Sequence, residues 1–401
     1  MILKAKQNSE KKICFITESP ISSNDGASLR LYYEYINYFI KKKYDVLYIY
    51  FSKKGNDKIV WSNKKPKNLK IVKLDHFDHL LPNKFTLINK LDQKIKIDSA
   101  VNKFKTNVIV AFDIISISQI INCDCKMKIG WLGDLKFETN FYNFLYSVKE
   151  NFFNSRHIFY NFFQNYYLRK KYKYYLTKLD KLVVSSYSSI KLLNKLGLSS
   201  KFLPYPWPKI FKVQSKKKIH ANYLFFGNLS GLGSRSALNI LFYSIYPKLK
   251  KKLCRTDFKI YICGKNFDKS FINKLNFSNY PEIEYLGFVE NLNNLIKKCI
   301  AVIFPGNVPV GNRCRLISCM ASKILIIAHK SCSLGNPLLI DGSTALLAKN
   351  SNEFVDMMDY AHKENQICEK IRNNAKIAYD NNYKPRVAGK ILEDFIYEKS
   401  S

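Results

Sequence analysis

A unit that recurs along the chain constrains the fold most: a short apolar run, a turn carrying glycine or small polar residues, then a longer stretch with helical spacing. The runs are Lys12–Thr17, Val46–Phe51, Leu69–Leu74, Val108–Phe112, Lys128–Leu132 and Lys181–Ser185. Each is about the length of a strand that is apolar on both faces, which is how strands of a parallel sheet under helices read. Between the first two, Ser19–Ser28 is a polar, Gly-containing loop. Leu29–Lys42 then places Leu31, Tyr35, Tyr38 and Phe39 at helical spacing. Strands alternating with helices predict a doubly wound α/β sheet.

The pattern breaks once and restarts. Pro204, Pro206 and Pro208 punctuate Phe202–Lys218, and proline restricts both itself and the residue before it, so an extended linker is expected. Beyond it come Asn222–Phe226, Phe258–Cys263, Ile283–Leu286, Ala301–Phe304 and Ile324–Ala328; the first four end at Gly227, Gly264, Gly287 and Pro305-Gly306. Ligands of open parallel sheets bind outside the carboxyl ends of the strands, where small residues let backbone come close. The expected organisation is one α/β domain over 1–203, a linker over 204–220, a second α/β domain over 221–384, and a terminal helix over 385–401 that could pack back on the first domain. A cleft between two such domains is a favoured ligand site.

With 401 residues and 47% hydrophobic content the chain has material for two cores, and neither disorder nor a collagen-like repeat is in view. No apolar run reaches the roughly 18 residues of a membrane span, and Ile13–Thr17 is too short for the core of a signal peptide. The expectation is a cytoplasmic protein, with peripheral attachment to the inner face of the cell membrane as a variant. Ten scattered cysteines read as buried thiols. No metal-ligand cluster stands out, so neither a metal nor another cofactor is expected. The net charge of +35 would attract polyanions or an anionic membrane surface, although Lys, Asn, Ile, Phe and Tyr are abundant along the whole chain.

Two segments carry most of the chemistry. Val310-Gly311-Asn312-Arg313-Cys314-Arg315 runs from a glycine loop into a helical pattern. A helix start offers unpaired N–H groups, and arginine adds forked, charge-assisted hydrogen bonds to phosphate oxygens. Gly227-Asn228-Leu229-Ser230-Gly231-Leu232-Gly233-Ser234-Arg235 follows the first strand of the second domain and suits a second phosphate-facing loop. It lacks the Gly-Lys-Ser/Thr ending of a P-loop and the spacing of a dinucleotide fingerprint. In the first domain, Trp131-Leu132-Gly133-Asp134 ends a strand. Asp134 is the candidate base or acceptor contact, with Asp113 behind it.

From about Asn222 to Phe395 the chain resembles the nucleotide-sugar-binding domain of family 4 glycosyltransferases. The matching stretches come in the family's order: Tyr223–Leu229, Lys259–Gly264, Glu284–Val289, Val302–Gly306, Arg315–Ala321, then Asp341-Gly342 with Ala345–Ala348. The first domain resembles the acceptor domain more loosely, best over Phe15–Pro20 and over Asp25, Gly26, Ala27, Ser28, Leu29 and Arg30. The resemblance implies the GT-B architecture, two Rossmann-like domains facing a cleft, and metal-independent transfer of a sugar from a nucleotide-sugar to a glycan or lipid-linked acceptor, as in cell-surface polysaccharide or glycolipid synthesis. It also implies roles. Arg313 and Arg315, with Gly227, Asn228, Arg235, Gly264 and Gly311, would hold the donor's diphosphate. Gly287, Phe288 and Val289 would lie near the base, Ser318 near the ribose, and Gly335 with Asn336 along the donor site. Asp25, Gly26, Ser28 and Arg30 would form the acceptor-side loop. The family usually has glutamates where this chain has Val310 and Ser318. A nucleotide-sugar epimerase and an inactive GT-B-like binding protein remain alternatives.

Residues 151–179 contain no acid, eleven Phe and Tyr, and Arg156, Arg169, Lys170, Lys171, Lys173 and Lys178. An aromatic-basic helix suits either docking on an anionic membrane surface or packing in the first domain's core. A nucleic-acid site is the least favoured use of it.

Overall fold

The computed structural model describes residues 11–23, 27–52, 59, 61, 66–75, 91–149, 155–212, 221–253, 257–265 and 275–398. Asp25, Gly26 and residues 213–220 of the expected linker lie outside them.

The first sheet has seven parallel strands: β1 (Lys12–Thr17), β2 (Asp45–Ser52), β3 (Leu69–Asp75), β4 (Val108–Phe112), β5 (Met127–Leu132), β6 (Lys181–Val184) and β7 (Lys201–Phe202), in the order β3-β2-β1-β4-β5-β6-β7. The second has six: β8 (Ala221–Asn228), β9 (Phe258–Lys265), β10 (Ile283–Tyr285), β11 (Ala301–Phe304), β12 (Leu325–His329) and β13 (Leu346–Ala348), in the order β10-β9-β8-β11-β12-β13. The described pairings within both sheets are parallel. Each sheet is doubly wound, with its strand order reversing beside its first strand: between β1 and β4, and between β8 and β11. Such switch points open a crevice at the strands' carboxyl ends.

Burial follows from the apolar runs. Ile13–Ile16 and the whole of β4 apart from Val108 are fully inaccessible, as expected for strands covered by helices on both faces. Short β7 sits at the start of the expected extended stretch, because Lys201–Phe202 pairs with Val183–Val184 before the prolines begin. β13 is three residues long, too short for a periodicity signal.

The chain passes between the two sheets' domains twice. Pro204–Lys212 is irregular and leads away from the first sheet; the terminal helix Pro385–Tyr397 returns to it. There Glu393 accepts hydrogen bonds from Tyr38 (2.6 Å) and Tyr44 (2.8 Å). Lys181 Nζ, on β6, donates to the carbonyls of Phe395 and Glu398 at 2.7 and 2.8 Å. The two passages are also tied to each other. The Trp207 N–H donates to the Tyr383 carbonyl at 2.8 Å, and the Tyr379 hydroxyl to the Trp207 carbonyl at 2.8 Å.

Among the described residues no helix is long and apolar enough to cross a membrane, and no group of three or more His, Cys, Asp or Glu could hold a metal ion.

Candidate active site

A cavity of about 830 Å³ lies between the two domains. Its first-domain wall is Ser28, Arg30, Leu31 and Tyr32 after β1, Asp113 after β4, and Gly133, Asp134, Lys136, Thr139 and Asn140 after β5. Its second-domain wall is Phe226, Gly227 and Asn228 at the end of β8, with Asn312–Arg315 and Ser318 after β11. Both walls are thus built at the switch points. Trp207, Ile210 and Phe211 of the connecting segment close one side. Proline spacing marks that segment as extended but carries no sign that its apolar residues face a ligand cavity.

The two arginines differ in state. Arg315 is enclosed. Its Nη1 donates to the Phe226 carbonyl (2.6 Å), its Nη2 to Ser234 Oγ (2.9 Å), and its guanidinium lies over the rings of Phe225 and Phe304 at 5.5 and 4.9 Å. Burial and the charge of Arg313 pull its pKa down to about 10. Arg315 therefore fastens the β8 loop to the helix Cys314–Ala321. Replacing it with methionine leaves two acceptors without their donor, and unfolding stability is expected to fall by about 2–4 kcal/mol, measured by chemical denaturation.

Arg313 is the more available cation. One of its nitrogens, Nη2, donates to the Val308 carbonyl at 2.5 Å, and the guanidinium lies over Phe304 at 4.8 Å. Its backbone is left-handed (φ 53°), and it precedes a helix whose first turn has no capping side chain. The start of that helix lies in the cavity wall beside the guanidinium, since Cys314 and Arg315 line it, and a helix start can add backbone donors to such a charge.

Two glycines explain how these side chains reach across. A Cβ on Gly227, whose φ is +138°, would fall 2.6 Å from the Arg315 guanidinium carbon, and one on Gly233 would run into Arg313 Nη1. Each glycine leaves empty the space that an arginine of the other loop fills. Gly233→Ala is expected to displace the Arg313 head and weaken donor binding about tenfold with little change in melting temperature; calorimetric titration beside a thermal melt measures both.

Opposite Arg313 stands Asp134. It accepts a hydrogen bond from the Gly311 N–H, across the domain boundary. Loss of hydration in the crowded cleft pushes its carboxyl up to about 6, although the side chain stays open to the cavity, and Asp113 adds to the rise, while Arg313 and the Gly311 N–H hold it down. Glu138, on the helix that follows, is pushed up to about 7 by burial and by Asp134. Asp113 accepts from the Tyr32 hydroxyl and from the Gly133 N–H (3.2 Å), which braces the turn that carries Asp134. Ser185 and Asn312 exchange hydrogen bonds at 2.8 and 3.0 Å, and the Tyr205 hydroxyl donates to the Asn312 carbonyl at 2.5 Å. The Gly311–Arg313 loop is thereby held against the first domain.

The other expected site residues divide. Ser28 and Arg30 line the cavity, and the buried Arg30 Nε has no protein partner. Ser318 lines it, but its hydroxyl accepts from Trp207 Nε1 (2.7 Å) and donates to the Cys314 carbonyl (3.2 Å). Gly264 packs directly on the Gly227 carbonyl. Gly287, Phe288 and Val289 are not among the lining residues; Phe288 is 59% exposed, with Lys265 Nζ 4.0 Å above its ring. Three others are engaged within the protein. Arg235 is not among the lining residues; its guanidinium stacks on Tyr146 of the first domain at 5.3 Å. Asn336 is buried, accepting from the Tyr383 hydroxyl at 2.5 Å. The Gly335 carbonyl accepts from the Tyr187 N–H at 3.1 Å, a contact between domains. Position after a glycine turn does not tell a ligand-facing loop from one that the facing domain covers.

Residues 220–363 match the family model described as glycosyl transferases group 1. Several solved structures share the fold over nearly their whole length. Sucrose-phosphate synthase from Thermosynechococcus elongatus has a TM-score of 0.67 at 12% identity, covering 96% of this chain and 98% of that one. A glycosyltransferase from Rickettsia africae gives 0.67 at 16%, with 97% and 100% covered. Anabaena HepE in complex with UDP and glucose gives 0.61 at 13%, with 97% and 100% covered. No curated protein matches in sequence. The chain therefore has the two-domain GT-B fold, and its second domain matches the group 1 glycosyltransferase model over residues 220–363.

Proposed function

We propose that this protein transfers a sugar from a nucleotide-sugar to a hydroxyl of a glycan or lipid-linked acceptor, without a metal, in building a cell-surface polysaccharide or glycolipid at the inner face of the membrane. The observation that carries the reading is the meeting of Arg313 and Asp134, from opposite domains, on one cavity. Arg313 and the uncapped helix start receive the donor's diphosphate, and charge that builds there as the glycosidic bond breaks is stabilised. The acceptor oxygen bonds to the anomeric carbon, and the old bond's electron pair leaves with the diphosphate. Asp134 is placed to take the acceptor's proton. Arg30 and Ser28 face the acceptor from the first domain. That HepE was solved with UDP and glucose supports a uridine nucleotide as the first donor to try.

Calorimetric titration of the folded protein with UDP-, GDP- and CMP-sugars tests the reading. Binding of at least one is expected; binding of none overturns it. One observation favours a second reading, an inactive binding protein: the Ser318 hydroxyl is already engaged by Trp207 and Cys314. Donor binding with no turnover on any acceptor, and no slow hydrolysis of the donor, would select it.

A further inference from the structure

Away from the cleft, a groove of about 440 Å³ runs along the helix Ser155–Leu176, lined by Tyr167, Lys170, Lys171, Tyr174 and Tyr175 and closed by Ile121 and Asn122. We propose that it seats the phosphate-bearing headgroups of an anionic lipid bilayer and docks the first domain on the membrane. The reading above supplies only the purpose, delivery of a membrane-borne acceptor.

The helix has two faces. Leu168, Tyr172, Tyr175 and Leu176 are buried in the first domain's core, and the Tyr172 hydroxyl accepts from the Lys136 N–H at 3.1 Å. The outward face carries Tyr166, Arg169, Lys170, Lys173 and Tyr174, all exposed. Its charge is of one sign, since the helix contains no Asp or Glu. No ion pair among the described residues engages Lys170, Lys171 or Lys173. Lys170 and Lys171 lie instead over tyrosine rings, 4.7 Å from Tyr166 and 5.2 Å from Tyr167. Lys178 likewise covers Tyr174 at 4.3 Å and bonds its hydroxyl at 2.9 Å. Asp180, the next acid along the chain, accepts from the Lys128 N–H at 2.6 Å.

The groove thus offers ammonium groups, an amide and phenols, with no carboxylate among its lining residues, and that chemistry selects an anion. The exposed tyrosines favour a bilayer as its source. A phenol with an apolar ring and a polar tip settles at headgroup depth, and lysines with apolar stems reach from there to phosphates. Juxtamembrane cations gain attraction from an anionic surface, and salt screens it. The same helix packs on the helix Lys136–Lys149, whose Lys136, Thr139 and Asn140 line the cleft. That packing links the docking helix to the acceptor wall.

The test is co-sedimentation of the full chain with vesicles of phosphatidylcholine, with and without phosphatidylglycerol. Binding is expected only to the anionic vesicles, and it should weaken as salt rises. Lys170→Glu with Lys171→Glu should lower that binding at least tenfold, with melting temperature and donor affinity unchanged. Tyr174→Ser, which leaves every charge in place, should weaken binding at high salt as well. Equal binding to both vesicle types, or full binding by the double variant, overturns the proposal. So does capture of a single-stranded RNA oligonucleotide with no vesicle binding. Vesicle binding without affinity for any sugar nucleotide would leave the groove in place and overturn the glycosyl-transfer reading instead.

Discussion

Arg313→Gln is expected to lower donor affinity and turnover together, with kcat/KM falling about 100- to 1000-fold. The size follows from geometry. Arg315 also lines the cavity, but Phe226, Ser234 and two rings fix its head, whereas Arg313, with one backbone carbonyl and one ring, faces Asp134 across the cavity. Glutamine keeps one donor for the Val308 carbonyl but removes the charge. The left-handed backbone at position 313 is tolerated by either residue to a similar degree, so the fold should survive. Titration with the donor, the kinetics of transfer and a melting curve distinguish the outcomes. A variant that melts normally and binds the donor as tightly as before would remove Arg313 from the site.

Asp134→Asn is expected to cut turnover about 100- to 10,000-fold while donor affinity changes much less. Its pH signature separates a proton-handling role from a positional one. With the carboxyl pushed up to about 6, kcat should climb with pH through about 6 and level above it, and the asparagine variant should lose this inflection. Stability should move the other way. A carboxyl raised in the native state binds its proton more tightly there than in the unfolded chain, so ionising it disfavours folding. That contribution is absent below about pH 4 and fully developed above about pH 6. Above that window the variant should be more stable than the parent, by under about 1 kcal/mol, because Asp134 is exposed to the cleft and solvent screens the effect. A variant that is inactive, yet more stable at neutral pH, marks a group held under strain for chemistry.

The strands and the two-domain division were legible because their signals are local. A run such as Val108–Phe112 can hardly be anything but a covered strand, and the prolines after Leu203 stop the pattern. Arg313, Gly227 and Asp134 could be named as candidates for a related reason: parallel sheets place ligands at strand ends, and the fold brings all three to one cavity. What escaped depends on which surfaces meet. Arg235 follows the same glycine loop as Asn228, yet a tyrosine of the other domain claims it. Arg313 and Arg315 look equivalent two residues apart. Both line the cavity and both lie over Phe304, yet one is bonded to the β8 loop and the other faces Asp134. Trp207 and Phe211 sit in a stretch where apolar residues have no period to betray a buried face. The helix Ser155–Leu176 carries tyrosines on both its faces, so aromatic content alone could not assign it to core or surface.

The two passages between the domains have a mechanical consequence. A single tether would leave two bodies free to swing and twist in any direction. Here Pro204–Lys212 and the segment before the terminal helix run together, stitched by Trp207 with Tyr383 and by Tyr379 with Trp207. Side-by-side crossings act like the two leaves of a door hinge: rotation about the line through them leaves the stitches intact, and other motions require them to break. Opening would then carry Gly311 and Arg313 away from Asp134 along one arc, and every closure would return them to the same register. Alignment of Arg313 with Asp134 is thus set by the hinge line, well away from the cavity they share.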